Sequence, residues 1–186
     1  VFLLQLTWTI GLKTTSTMYL LSIVTTHHIG YHHSMLLTDA RPDMERELRF
    51  FPAPTESPRR FTRDQIGEFN DKGFVFPLDI FSDEEAGANR LYFDGIMEKA
   101  PAAGHNSYSI NGWHRYCTDI YDLVMEPRIL DYVEDLLGPD LICTMTHYFC
   151  KLPGETKQVA WHQDASYWPL TPSKVVTVWL AVDDVD

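Results

Sequence analysis

Helical signals in the first half and strand signals in the second predict an α+β protein, mainly β, with an N-terminal helical layer packed on a β-sandwich. Three observations carry this. Two capping boxes open apolar-periodic stretches before residue 100, and a further helical pattern runs to a Gly-Pro stop at 138–139. After residue 140, strand-like runs alternate with turns. A chain of 186 residues, 45% hydrophobic and 13% aromatic, suffices for one domain with a real core, and no internal repeat appears.

Residues 1–26 are apolar and rich in Thr and Leu, but Lys13 and Gly11 interrupt them short of the ~20 residues a spanning helix needs. Neither a basic n-region nor a small-residue cleavage site is evident. His27, His28, His32 and His33 could share a metal on a helix, yet Gly30 divides them and no carboxylate or cysteine is interleaved. A solvent-exposed segment is the expected reading. The stretch 1–48 is accordingly expected to be a poorly defined extension, either non-native sequence ahead of an internal Met start or a genuine variable arm.

Pro52, Pro54 and Pro58 punctuate an extended lead-in. The capping box Thr62–Gln65 starts a helix to about Asn70, with Ile66 and Phe69 inward and Gly73 as its stop. Phe74–Leu78 reads as a strand, placed at an edge by Pro77. Ser82–Glu85 opens a helix to about Lys99, with Leu91, Ile96 and Met97 as the expected buried stripe. Residues 100–118 form a long irregular loop whose Tyr108, Trp113, His114, Arg115 and Tyr116 either face a substrate or pin the loop to the core. Asp119–Leu137 is helical and restarts at Pro127, with Asp131, Glu134 and Asp135 on a solvated face. Strands are expected at Leu141–Cys150, Val159–Asp164 and Val175–Val182, the last buried on both faces.

The net charge of −11 argues against nucleic acid and anionic membrane as partners. Residues 1–50 are neutral, so the acidic excess lies in 51–186. Cys117, Cys143 and Cys150 are odd in number and lack CxxC spacing, which argues against a disulfide framework or a structural zinc site and favours a reducing, cytoplasmic setting.

The chemistry concentrates in Trp161-His162-Gln163-Asp164-Ala165-Ser166-Tyr167-Trp168. On a strand, His162 and Asp164 would point to one face. An imidazole and a carboxylate are two thirds of the facial triad that holds non-heme Fe(II), and zinc accepts the same donors. Trp161, Tyr167 and Trp168 supply bulk for a dry site. A zinc hydrolase would want a third ligand, but His105, His114 and His147 sit at no ligand-like spacing.

Residues from about Thr62 to Asp186 resemble the front two thirds of the phytanoyl-CoA dioxygenase (PhyH) family. The likeness is carried by Gly73-Phe74-Val75-Phe76, Phe81–Glu85, Pro127–Leu130 and Leu136–Pro139. It is strongest at Trp161–Asp164 and Val175–Asp184. The resemblance implies a double-stranded β-helix (jelly roll, cupin-like) core in 49–186, incomplete at its C-terminus, with Fe(II) and 2-oxoglutarate as cofactor and cosubstrate. Its reaction would hydroxylate a small-molecule C–H bond with O₂, releasing succinate and CO₂. His162 and Asp164 match two iron ligands, and His147 and Trp179 resemble positions that contact 2-oxoglutarate.

The family's distal His and cosubstrate-binding Arg have no match before Asp186, so the 186 residues alone are expected to be inactive or unstable. Asp164 stands where halogenating relatives carry Ala or Gly, which favours hydroxylation. A non-catalytic jelly-roll binding domain is the reading from another class. The acidic surface disfavours a CoA ester and favours a neutral or cationic metabolite.

Overall fold

The computed structural model describes residues 41–106, 110–150, 152, 154 and 164–182, together with the backbone of 2–10 and 20–21. Two N-terminal strands, β1 (Phe2–Ile10) and the short β2 (Leu20–Leu21), precede the helices α1 (Arg63–Lys72) and α2 (Asp83–Lys99). Then come α3 (Thr118–Val124), α4 (Pro127–Leu137), β3 (Leu141–Cys150) and β4 (Val175–Ala181).

Local chemistry sets the helix limits. Thr62 and Gln65 satisfy each other's backbone N–H groups at the start of α1, and Ser82 and Glu85 do the same for α2. Gly73 closes α1 at φ 82°, a left-handed conformation that glycine adopts without a Cβ clash. The expected strand at Phe74–Leu78 does not form: the segment has no regular secondary structure and pairs with no strand among the described residues, and Phe76 is 71% exposed. The buried positions of α2 are Phe93 and Ile96, whereas Leu91 is 73% exposed and lies outside the apolar stripe.

One sheet is present, in the order β2-β4-β1-β3, with β1 antiparallel to both β3 and β4. The sheet and the helical layer bear out an α+β fold. Helical residues outnumber strand residues among those described, and no second sheet is seen there. Strand β1 comes from the stretch expected to be an extension, for which the sequence reading assigned no strand.

Helices cover one face of the sheet. Phe93 of α2 stacks at 4.7 Å on Tyr148 of β3, and Phe61 meets Tyr132 of α4 at 4.6 Å. Val176, Val178, Ile120 and Ile129 complete a core in which each large apolar side chain stabilises by roughly 1.5–3 kcal/mol. Asp135, expected on a solvated face, is instead buried. Its carboxylate accepts the backbone N–H groups of Arg59, Arg60 and Phe61 at 2.7, 2.8 and 2.9 Å, which fixes the lead-in against α4.

The 100–118 loop contains two single-turn 3₁₀ segments, Pro101–Ala103 and Trp113–Arg115. Its end lies along the outer edge of β3. Tyr148 N–H donates to Ile110 O, Gly112 N–H donates to Thr146 O, and His114 Nδ1 bonds Thr146 Oγ1 at 2.9 Å. Burial, and then the neighbouring Arg115 charge, push the His114 pKa down. Trp113 packs on the core while Tyr116 is exposed; Tyr108 lies outside the described residues. So the described part of this loop is pinned at Trp113 and His114.

Candidate functional site

The face of the sheet away from the helices carries the site. Val176, Val178 and Leu180 of β4 point into the helical core, so Thr177 and Trp179 point the other way. On β3, Tyr148 and Cys150 face the core, and His147 and Phe149 oppose them. Register agrees: His147 and Trp179 both pair with Gln5, and Met145 and Thr177 both pair with Thr7. The rings of His147 and Phe149 lie 4.2 Å apart, and those of Phe149 and Trp179 5.1 Å apart. The two residues singled out for the cosubstrate thus share one face and are linked through Phe149.

Asp164 is not on a strand. It opens a 3₁₀ turn, Asp164–Ser166, whose Tyr167 N–H returns to Asp164 O at 3.0 Å. His162, the other candidate ligand, lies outside the described residues, as do Trp161 and Gln163. The same-face argument for a strand pair therefore does not account for Asp164. Its orientation comes from β4, where the Thr177 hydroxyl donates to Asp164 Oδ2 at 2.5 Å. Thr177 is buried, so this polar pair sits where water competes weakly.

Residues 41–47 run along the same loop. Arg46 donates to the carbonyls of Ala165, Ser166 and Trp168, Arg41 donates to Tyr167 O, and Ser173 donates to Glu47 O. A cleft of about 240 Å³ opens beside Asp164 and Thr177. At its edge, Arg49 and Lys174 lie 4.1 and 5.3 Å from the Phe51 ring centre.

Among the described residues no three His, Cys, Asp or Glu side chains converge as a metal set. The donors nevertheless fit Fe(II) in kind. A carboxylate held by a buried hydroxyl has the outer-shell support that metal-binding carboxylates require, and His162 would add the nitrogen.

Sequence reasoning missed Thr177 and Arg46. Thr177 had a signal, as the single hydroxyl within Val175–Ala181, a strand otherwise apolar and so obliged to pair it. Arg46 had none, since its partners lie about 120 residues away. Arg128, within one of the resembling segments, has a structural role. It bridges Glu85 of α2 and Glu126, donates to Ile80 O, and lies over the Phe81 ring.

No solved structure matches the chain. Among curated proteins, "Phytanoyl-CoA dioxygenase, peroxisomal" of Bos taurus is 36% identical over 76 residues, 39% of this chain and 20% of that protein. The chain thus spans about a fifth of that relative's length. No helix among the described residues is long and apolar enough to cross a membrane. The family description "Phytanoyl-CoA dioxygenase (PhyH)" matches residues 69–186, more than half of the chain, and so this chain belongs to the PhyH family.

Proposed function

We propose that this chain forms part of an Fe(II)- and 2-oxoglutarate-dependent dioxygenase that hydroxylates a C–H bond of a small molecule. The observation that carries the reading is Asp164 held by buried Thr177, on the sheet face that also bears His147 and Trp179. His162 and Asp164 would hold the metal, and His147 and Trp179 would contact 2-oxoglutarate. When bound, Fe(II) and 2-oxoglutarate supply the O₂-dependent oxidation whose products are the hydroxylated substrate, succinate and CO₂. The chain's own part is to orient. Thr177 fixes one carboxylate oxygen, and the half-buried Phe149 and Trp179 rings, 5.1 Å apart, add apolar surface on the same sheet face.

The catalytic body is proposed to run from residue 49 onward as the front of a double-stranded β-helix, with 41–48 an arm bound to its surface and β1 joining its sheet between β4 and β3. Retention of Asp164 supports hydroxylation over halogenation. The relative's name concerns phytanoyl-CoA; for this chain we propose only a small-molecule substrate. Succinate release from 2-oxoglutarate, measured with the full-length protein, tests the reading. Formation that needs both Fe(II) and O₂ is expected; a folded, iron-loaded protein with no such release in the presence of candidate substrates would instead favour a non-catalytic binding domain.

A further inference from the structure

The Arg46 guanidinium spans the turn that begins at Asp164. Its Nη1 donates to Ala165 O at 3.2 Å and Trp168 O at 2.6 Å, and its Nη2 donates to Ser166 O at 3.1 Å. A planar fork of donors can cover three carbonyls in one short span, which a single ammonium does not do in a fixed geometry. Neighbouring links run the same way. Arg41 Nε reaches Tyr167 O at 3.1 Å, Glu47 N–H reaches Thr171 Oγ1 at 3.3 Å, and Ser173 Oγ reaches Glu47 O at 2.8 Å.

The last carbonyls of a single helical turn have no partners within that turn. Arg46 satisfies those of Ala165 and Ser166 and ties the turn to the arm, while Thr177 ties the Asp164 side chain to the sheet. With both ties in place, the carboxylate is held from its backbone and from its side chain.

We infer that Arg46 is a positioning residue, setting the Asp164 carboxylate through the backbone of its turn. This rests on the reading of Asp164 as a metal ligand. The test is a Co(II) titration of the full-length protein, followed by visible absorption alongside thermal unfolding. It compares wild type, Arg46→Ala, Arg46→Lys and a control, Arg90→Ala, whose guanidinium pairs with Asp94 on α2. Arg46→Ala is expected to weaken Co(II) binding about 10-fold and alter the absorption band. Arg46→Lys should bind between the two, and Arg90→Ala like wild type. Wild-type affinity and band shape in the Arg46 variants would overturn the inference, whatever the melting temperatures. Should Arg46→Ala fail to fold, Arg46→Lys decides: weaker binding supports the role and unchanged binding overturns it. A folded wild-type protein that binds no Co(II) would overturn the metal reading itself, and this inference with it.

Discussion

Thr177 donates its hydroxyl hydrogen to Asp164 Oδ2 across 2.5 Å, from a strand position only 4% exposed. A carboxylate has about four lone-pair sites, so accepting this bond orients Asp164 without exhausting its capacity. The candidate ligand is therefore aimed by β4, 13 residues further along the chain, as well as by its own turn.

Replacing Thr177 with Val removes the donor while keeping the side-chain shape. Metal affinity of the full-length protein should fall about 10-fold, as expected for an outer-shell partner. Thr177→Ser should restore most of it. Calorimetric titration with Mn(II) reads both, and equal affinities in wild type and Thr177→Val would show that the bond has no part in metal binding.

Asp135 is a structural carboxylate. Asp135→Ala strands three backbone N–H groups, at a cost of about 3 kcal/mol given ~1–3 kcal/mol per unsatisfied buried group with partial relaxation. Asp135→Asn should lie between, because its amide NH₂ cannot accept from one of the donors. Urea unfolding measures both; a loss under about 0.5 kcal/mol for the Ala variant, typical of a surface change, would contradict the assignment.

The Arg128 network predicts an acid limb. Its hydrogen bond to Glu85, joined by the Ser82 N–H, lowers the Glu85 pKa from 4.5 to about 2, and Glu126 is lowered by the same guanidinium. A depressed folded-state pKa contributes stability above the unfolded value and loses it as pH falls. The melting temperature should therefore drop between pH 4.5 and about 2, and this part of the drop should shrink in Arg128→Met. Parallel curves for the two proteins would argue against the network.

On α2, Leu91→Gln should change stability by less than about 0.5 kcal/mol, because the side chain is already in water. Phe93→Ala should cost about 3–5 kcal/mol through the cavity it leaves under Tyr148. Chemical denaturation of the two variants would show at once if the stripe had been assigned to the wrong residues.

How much of this was legible in sequence depends on how local its cause is. The capping boxes at Thr62 and Ser82, the restart at Pro127 and the strands β3 and β4 follow from short-range chemistry, and all appear where expected. Phe74–Leu78 had strand composition, but a strand needs a partner, and none among the described residues pairs with it. Leu91 failed because a stripe of apolar residues does not say which of its members meets the sheet; Phe93 won that place by stacking on Tyr148. Asp135 failed because its partners lie about 75 residues away. At the site, motif and residue types were readable, whereas the 3₁₀ turn at Asp164 and its ties to Thr177 and Arg46 depend on tertiary placement.

The most direct test of the central claim is an anaerobic Fe(II) titration of the full-length protein with 2-oxoglutarate, followed by the metal-to-ligand charge-transfer absorption. Wild type should develop the band, and both Asp164→Ala and His162→Ala should lose it while remaining folded. A band of undiminished intensity and affinity in Asp164→Ala would contradict the account.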